Sequence, residues 1–522
     1  MVEVKEHKSG GVGLYATKSY KAGEIILQES PIITLAPKKS EHIAAIRDQF
    51  QNIKEGAKIS QADKCLHDLI IPDSIDTKLK SEFRGMLIAA ASYALEENDT
   101  VKSKVQELYV PNLDDNENQH EQKVIILCED AMSFLKKQRK TDSKLHKLID
   151  QSPIECKKIM LIWSCNSFKG GYIYERTSRI NHSCDFNAVV STNNFSNDDE
   201  EQTIRAACSI QEGGEIAISY LGSFTYSDQK LRNEKLVTEK FFTCHCERCE
   251  RERSSGDMAA SMPCPNCHPR IGRYLDEDVQ YDDGEVEVQY CVSSLKGDTN
   301  QIIYNCEKCG EVKFDETLLN AIEKAIERST SHLNQDLFGL NEIDDDEGDR
   351  NSKIEMTERL ACLATSVLGA KHWATILLTF VMLSAKLSSL HATMLCKSAS
   401  GSDSKKEKDE ENAETMDDIA ECINSLDRIN SYMQSLKLQS HVGHLVGNVS
   451  VGVSRVLVGF GDVKSMKYGS TFASAVFDDY FKLGFEGEAM EKVAETLIHA
   501  WERKFPEGDS TSDGSRKKQK VK

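Results

Sequence analysis

The stretch Arg179–Ala188, with the sequence RINHSCDFNA, decides the fold of this chain. By itself it predicts only a polar turn after Ile180, because asparagine and aspartate side chains bond to nearby backbone groups. The segments that follow it in the sequence make a more specific prediction possible. Downstream, the segment 213–220 (GGEIAISY) alternates apolar residues on one face, which is typical of a strand that ends at Tyr220. A cysteine triplet begins 24 residues after Tyr220, so the stretch is one of several ordered motifs.

The pattern of apolar residues changes along the chain. Short apolar runs punctuated by glycine and proline up to residue 35 predict strands and turns. Spacings of three and four residues from about residue 40 to 158 predict helices, and strands return after Trp163. Beyond Glu316 the pattern is helical to the end, including 416–436 and 488–505. We therefore expect a β region interrupted by helices, then a cysteine-rich segment, then more helices.

Composition excludes several classes of protein. The 522 residues include 65 Lys and Arg against 84 Asp and Glu, and the net charge of −19 disfavours bulk binding of nucleic acid and suits a basic partner. The longest uncharged apolar run, Trp373–Ala385, is too short to span a bilayer, and the polar residues 1–9 predict no signal peptide. Neither a GxxxxGK[ST] loop nor a GxSxG elbow occurs, which excludes the common nucleotide-binding and hydrolytic motifs.

Eight of the 17 cysteines fall between Cys244 and Cys309, in a CxCxxC triplet followed by two CxxC pairs. The pairs, Cys264 with Cys267 and Cys306 with Cys309, supply four thiolates for one structural zinc, with Cys291 and His268 as spare ligands. The alternative is that these are buried free thiols. The triplet of Cys244, Cys246 and Cys249 lacks a fourth ligand, which must come from elsewhere in the chain.

Five motifs in order resemble the SET-domain protein methyltransferases, specifically the SMYD-type branch. They are GVGLYAT at 11–17, CNSF at 165–168, SRINHSC at 178–184, GGEIAISY at 213–220 and the CxCxxC cluster. The resemblance implies an α+β multidomain protein: a β-rich SET fold with a pseudoknot and a helical insertion, a cysteine-rich zinc-binding post-SET region, and an α-helical, TPR-like C-terminal domain. The implied division is 1–37 and 156–222 for the SET domain, 38–155 for the insertion, 223–255 for the post-SET segment, 256–315 for a second zinc-ribbon-like segment, 316–506 for the C-terminal helices and 507–522 for a disordered basic tail.

The resemblance also implies roles for particular residues. Tyr220 would be the catalytic tyrosine, and Cys184 would be the fourth ligand that the triplet lacks. Contacts with S-adenosylmethionine are implied for Gly11, Val12, Gly13, Leu14, Asn166, Asn181, His182, Tyr220 and Phe242. Two structural zinc sites follow, one formed by Cys184, Cys244, Cys246 and Cys249, the other by Cys264, Cys267, Cys306 and Cys309.

The sequence departs from the family pattern in three places. No MYND finger is recognisable, because 38–158 holds only Cys65, Cys128 and Cys156. Phe186 stands where the family usually has proline, and Lys240 stands where an aromatic residue of the acceptor channel is expected.

We therefore expect a protein-lysine N-methyltransferase that uses S-adenosylmethionine and acts on histone or other protein lysines, in the nucleus, the cytoplasm or both. No nucleic-acid or membrane partner is expected. The alternative is a catalytically inactive SET-like scaffold that keeps its zincs and binds other proteins.

Overall fold

The computed structural model gives the fold of the chain in several ranges. It describes residues 2–7, 11–34, 40–51, 74–75, 79–110, 119–168, 171–191, 201–267, 290–296, 301–314, 317, 319–326, 347–399, 420–426, 428–429 and 431–438. These residues divide into two compact units. The first comprises Met1–Thr225 with Lys230–Cys246, and the second comprises Tyr226–Gln229 with Glu247–Lys522.

The first unit contains nine strands and seven α-helices among its described residues. In chain order the strands are β1 (Val2–Glu6), β2 (Val12–Ala16), β3 (Ile25–Glu29), β4 (Ile33–Thr34), β5 (Tyr172–Ile173), β6 (Asn181–His182), β7 (Ala188–Ser191), β8 (Gln202–Ala206) and β9 (Glu215–Ile218). The helices are α1 (Ser40–Arg47), α2 (Lys80–Leu95), α3 (Asp99–Gln106), α4 (Gln119–Gln138), α5 (Lys144–Gln151), α6 (Pro153–Asn166) and α7 (Gln229–Lys240).

Three small sheets make up the β part of this unit. Their strand orders are β1-β2-β9-β6, β3-β8-β7 and β4-β5. Every pairing in them is antiparallel except that of β6 with β9, which is parallel. Leu14, Ile204 and Ile216 are fully buried in one core between these strands, because strand residues alternate between the two faces and the apolar ones turn inward. The strand predicted for the GGEIAISY segment is found as β9, which ends at Ile218, but its burial does not alternate: Ile216, Ala217 and Ile218 are all buried.

Helices α1 to α6 pack around a second core, which includes Phe83, Met86, Leu87 and Leu135. Helix α2 can lie against α6 because residue 85 is glycine: a Cβ there would stand 1.9 Å from a ring carbon of Trp163. Helix α6 begins with Pro153, which suits the first turn of a helix because its missing N–H has no intrahelical partner there. The helical pattern predicted between the two halves of the β region is found in the described residues. Residues 52–73, 76–78 and 111–118, which include Cys65, lie outside them.

The second unit begins with helix α8 (Glu247–Ser255) and a meander of four antiparallel strands, β10 (Asp257–Pro263), β11 (Tyr290–Lys296), β12 (Gln301–Cys306) and β13 (Gly310–Val312). Helices Glu347–Leu368 and Trp373–Ala399 follow, and the described parts of 319–326 and 420–438 are also largely helical. Within the described residues, no helix has the length and apolar character that crossing a membrane requires. The TPR-like packing stays a prediction. The predicted helix at 488–505 and the tail 507–522 lie outside the described residues.

Candidate functional site

The parallel pair of β6 and β9 lies at the centre of the predicted site. Asn181 is opposite Ala217, and His182 is opposite Ile218. After His182 the chain stays against β9, since the Ser183 N–H donates to the Ile218 carbonyl at 3.0 Å. The RINHSC stretch and the GGEIAISY segment, far apart in sequence, are thereby held side by side.

Asn187, to which the sequence analysis gave no role, makes this arrangement specific. Its side-chain Nδ2 donates to the Glu215 carbonyl at 2.8 Å, and its Oδ1 accepts from the Ala217 N–H at 2.9 Å. A carboxamide carries a donor and an acceptor in the same geometry as a peptide group. The side chain therefore bonds to β9 as a short strand would. The only signal for this in the sequence is an asparagine at the end of the decisive stretch.

Glu29 is a second residue that the sequence analysis missed. Its carboxylate accepts from the backbone N–H groups of Arg176 and Thr177, both at 2.9 Å, and from the Thr177 hydroxyl at 2.8 Å. These groups start a short 3₁₀ helix, Thr177–Arg179, which leads into β6. An anion is favoured there because the first N–H groups of a helix lack intrahelical partners. Glu29 thus ties β3 to the entry of the site.

Gly13 lies in a place where no side chain fits. A Cβ at this residue would stand 2.7 Å from Asn181 Nδ2 and 3.1 Å from Glu215 Oε1. The Asn181 amide donates to Glu215 Oε1 at 2.8 Å, and the other oxygen of Glu215 lies 3.2 Å from His7 Nε2. Glu215 therefore fixes the orientation of Asn181 beside a bare segment of backbone. It was not predicted as a site residue.

The other members of the predicted glycine-rich segment differ in exposure. Gly11 has φ +74°, in the left-handed region that glycine adopts without strain. Val12 is 39% exposed, whereas the Leu14 side chain is fully buried in the strand core. Leu14 could therefore meet a ligand only through its backbone.

Tyr220, at the end of the β9 segment, is enclosed by other site residues. Its N–H donates to His182 Nδ1 at 3.0 Å, and its hydroxyl donates to the Ile180 carbonyl at 2.5 Å. Its ring centroid is 5.3 Å from that of His182 and 6.4 Å from that of Phe242, with the Phe242 ring nearly perpendicular. Burial, with a smaller contribution from the Glu215 carboxylate, raises the pKa of Tyr220 far above its usual value of 10.0. The hydroxyl therefore stays protonated at neutral pH.

His182 links this tyrosine to the first cysteine cluster. Because its Nδ1 accepts the Tyr220 N–H, the neutral ring carries its proton on Nε2. Nε2 lies 3.3 Å from Cys184 Sγ and can donate to it. One imidazole thus joins the backbone of Tyr220 to the sulfur of Cys184.

Four sulfurs come together in that cluster: those of Cys184, Cys244, Cys246 and Cys249 all lie within 4.8 Å of one another. The sulfurs of Cys184 and Cys244 are 3.9 Å apart, and the Cys246 N–H donates to Cys244 Sγ at 3.5 Å. A set of four thiols fits a tetrahedral structural zinc. The structure therefore places Cys184 with the triplet, and its role as the fourth zinc ligand stays a prediction.

The second cluster brings together Cys264, Cys267, Cys306 and Cys309, again within 4.8 Å. The sulfur of Cys267 is 3.8 Å from that of Cys306 and 3.1 Å from that of Cys309. The two CxxC pairs lie at the end of β10 and at the turn from β12 to β13, so the meander itself forms the group. Cys291, one of the two spare candidates, is buried on β11 opposite Cys306, and His268 lies outside the described residues. This cluster too could hold a metal ion.

Asn166, the last residue of α6, has its amide in use within the protein. Nδ2 donates to the carbonyls of Tyr109 and Ile162, both at 2.8 Å. Its backbone carbonyl accepts from the Ser178 hydroxyl at 3.1 Å, which places the end of α6 against the segment that leads into β6. The predicted contact of Asn166 with a cofactor stays a prediction.

Lys240 ends α7 and lies beside the predicted catalytic tyrosine. Its Nζ is 5.9 Å from the centre of the Tyr220 ring and donates to the Cys165 carbonyl at 3.4 Å. The next residue, Phe241, is buried and has φ +65°, an uncommon conformation for a residue with a side chain. Phe242, just after this turn, has its ring centroid 6.0 Å from that of His182.

Comparisons with known proteins point to the SET domain. A family model for the SET domain matches residues 11–221. The chain is similar to the histone-lysine N-methyltransferase SET5 of Saccharomyces cerevisiae (strain YJM789), with 28% identity over 115 residues, covering 22% of this chain and 21% of the relative. It is also similar to a SET and MYND domain-containing protein of Dictyostelium discoideum, with 30% identity over 133 residues, covering 22% and 23% of the two chains. The chain thus spans about a fifth of the length of these relatives. The resemblance predicted from the five motifs is confirmed.

Proposed function

We propose that this SET-domain protein is a protein-lysine N-methyltransferase that uses S-adenosylmethionine. The observation that carries the proposal is the convergence of four groups in one place: the bare backbone at Gly13, the amide of Asn181, and the rings of His182 and Tyr220. Both named relatives carry SET-domain or methyltransferase names, which supports the same class of reaction.

The residues of the site fit the proposed cofactor. Gly13 is buried and has no side chain at a place where a Cβ would stand 2.7 Å from Asn181 Nδ2, and glycine is the residue that allows close approach to the backbone. Asn181 and His182 supply polar groups held in fixed orientations by Glu215 and by Tyr220. Bound there, S-adenosylmethionine would supply an electrophilic methyl group. Phe242 supplies an apolar ring on the same side as His182 and Tyr220.

Tyr220 would orient the acceptor amine. Its hydroxyl proton is directed to the Ile180 carbonyl, so lone pairs on the phenol oxygen can accept an N–H from a neutral lysine amine. A lysine amine, with a pKa of ~10.4, has to release a proton before it can attack a methyl group. Because the pKa of Tyr220 is raised, the phenol would act as an oriented dipole and not as a base.

The substrate is proposed to be a basic protein segment, either of a histone or of another protein. The net charge of −19 favours a basic partner over an acidic one. The name of the yeast relative includes histone lysine as its substrate, and that supports the histone alternative for this chain.

Both cysteine clusters are proposed to hold structural zinc. Four thiolates close the coordination shell and leave no open position for water or substrate. The first cluster would hold Cys184 beside His182, and so keep the ring that bonds to the Tyr220 N–H in place.

A catalytically inactive scaffold is the second candidate. It is favoured by Lys240, which stands where the family has an aromatic residue, and by the Asn166 amide, both of whose protons are taken by backbone carbonyls. Calorimetry with S-adenosylmethionine separates the candidates, since a scaffold of this kind should not bind the cofactor.

The reaction is tested with purified protein, radiolabelled S-adenosylmethionine, histones and a cell lysate. We expect label on protein lysines, and Tyr220→Phe is expected to lower kcat by about 100-fold or more, because one preorganised group at the transferring methyl is lost. Cofactor affinity should change little.

Tyr93→Phe is the matched control, since Tyr93 is a buried tyrosine with a raised pKa in the helical core, bonded to Glu155. Its rate should equal that of the parent protein. No label on any protein, together with no cofactor binding, would refute the proposed function. Equal rates for Tyr220→Phe and the parent would refute the role of Tyr220.

A further inference from the structure

Lys240 places an amine of the protein itself beside the proposed site of methyl transfer. The amine nitrogen lies 5.9 Å from the centre of the Tyr220 ring. It makes one long hydrogen bond, at 3.4 Å, to the Cys165 carbonyl. In the part of the chain that the structure describes, no carboxylate lies within ion-pair distance of Lys240. The amine is thus held by one long hydrogen bond and by its position over the ring of the tyrosine that would orient an acceptor.

The position of Lys240 is fixed by the backbone that follows it. Helix α7 ends at Lys240, and the left-handed conformation of Phe241 then turns the chain. A non-glycine residue keeps this conformation only where its surroundings enforce it, and Phe241 is buried. The turn keeps Lys240 and Phe242 near the same tyrosine, at 5.9 Å and 6.4 Å from the ring centre. The amine therefore remains near Tyr220 while its flexible four-carbon stem can change direction.

We propose that Lys240 is an internal methyl acceptor, so that the protein methylates its own side chain at this position. The inference rests on the proposed function. In the reaction, the Lys240 ammonium first gives one proton to solvent. The nitrogen lone pair then forms a bond to the methyl carbon of the sulfonium donor, while the carbon–sulfur bond breaks and its electron pair stays on sulfur as a neutral thioether. The product is a methylammonium that keeps the positive charge.

The modification would change the contacts of Lys240 but not its charge. A methylated ammonium has fewer N–H groups to bond to the Cys165 carbonyl, and it can still lie over an aromatic face. It would remain next to Tyr220 and compete with lysines of other proteins for that position. The methylation of Lys240 would then show that the enzyme had been active, and the methylated side chain would reduce access of substrate lysines to Tyr220.

Lys235 provides a matched control on the same helix. It is partly buried like Lys240, and its Nζ also lies over an aromatic ring, that of Phe224, at 4.0 Å. Lys235 therefore lies over Phe224, whereas Lys240 lies over Tyr220. Because both lysines are on the same helix and are similarly exposed, a difference in their methylation or acylation depends on which ring each amine lies over.

The first measurement is mass-spectrometric mapping of the full chain after incubation with S-adenosylmethionine alone. We expect the added mass of one methyl group at Lys240 and none at Lys235. Methylation of Lys240 should be slower by about 100-fold or more in Tyr220→Phe, and its rate should not change when the protein is diluted. An unmodified Lys240 overturns the inference. A rate that rises with protein concentration also overturns it, since the acceptor would then belong to another molecule.

The second measurement needs no methyl transfer. Surface amines are acylated with a water-soluble reagent, with and without S-adenosylhomocysteine, and the two lysines are compared. We expect this ligand to slow acylation of Lys240 and to leave Lys235 unchanged. Equal slowing of both, or of neither, counts against the inference.

The lysate experiment separates this inference from the proposed function. Label on lysate proteins with none on Lys240 overturns the internal acceptor and leaves the methyltransferase standing. Absence of label on both, with no cofactor binding, overturns both.

Discussion

Each of the two cysteine clusters contains four thiols, but the two clusters are built in different ways. The second is made by two CxxC pairs within one small antiparallel meander, and Cys309 in it is exposed. In the first, Cys184 lies 60 residues before Cys244 in the sequence and is fully buried. Its sulfur lies 3.3 Å from Nε2 of His182, whose other ring nitrogen accepts from Tyr220. Four cysteines can therefore come together within one local fold or join segments that are far apart in the sequence.

The largest expected effect compares Cys184→Ala with Cys309→Ala. Each variant should lose one equivalent of metal per chain by elemental analysis. Cys184→Ala should also lose most methyl transfer and lower the free energy of unfolding by on the order of 3 kcal/mol, since loss of a metal ligand is among the strongly destabilising changes. Cys309→Ala should keep methyl transfer close to that of the parent.

Equal loss of methyl transfer in both variants would contradict the distinction between the clusters. Full metal content in both would contradict the assignment of the ligands themselves.

A smaller effect is expected from Asn187→Ala, which leaves every cysteine in place. The change removes the partners of the Glu215 carbonyl and the Ala217 N–H, and a buried group left unpaired costs about 1–3 kcal/mol. Chemical denaturation should show this loss, accompanied by reduced methyl transfer. Asn305→Ala, at an exposed position on β12 beside the second cluster, should change the free energy of unfolding by less than about 0.5 kcal/mol. Similar losses in both variants would speak against a special role for Asn187.

The smallest effect concerns alkaline pH. The pKa of Tyr220 in the folded protein is raised by burial and then by Glu215, from 10.0, and that of Tyr290 on β11 is raised less, mainly by burial. Above pH 10.0 the unfolded chain loses these protons while the folded chain keeps them, so stability present below that pH falls as pH rises.

Tyr220→Phe should therefore reduce the loss of stability at alkaline pH more than Tyr290→Phe does. The measurement is the free energy of unfolding on either side of pH 10.0 for both variants and the parent. A larger change for Tyr290→Phe would reverse the expected order.

The sequence predicted those parts of the site that depend on motifs. Cysteine spacing showed that the triplet needed a fourth ligand, and the family resemblance pointed to Cys184, which the structure places in the cluster. Glycine at residue 13 was predicted from its motif, whereas its close neighbour Asn181 is a finding of the structure.

Other parts could not be predicted, because they depend on tertiary contacts of single polar residues. Glu29, Asn187 and Glu215 have no motif of their own. Each acts through a partner brought close by folding: Glu29 bonds to Thr177, and Glu215 bonds to Asn181, 34 residues away. The parallel pairing of β6 with β9 could not be predicted either, because a two-residue strand such as β6 has almost no periodicity in its sequence.

The pairing of β2 with β9 sets an order for folding during synthesis. Leu14 pairs with Ile216, so β2 lacks its partner β9 until some 200 residues more have been made. At about 5–20 residues per second, that interval is roughly 10 to 40 seconds. Helices α2 to α6 rely on contacts closer in sequence and can pack within it. Synthesis of the helical insertion would thus be complete before β9 pairs with β2.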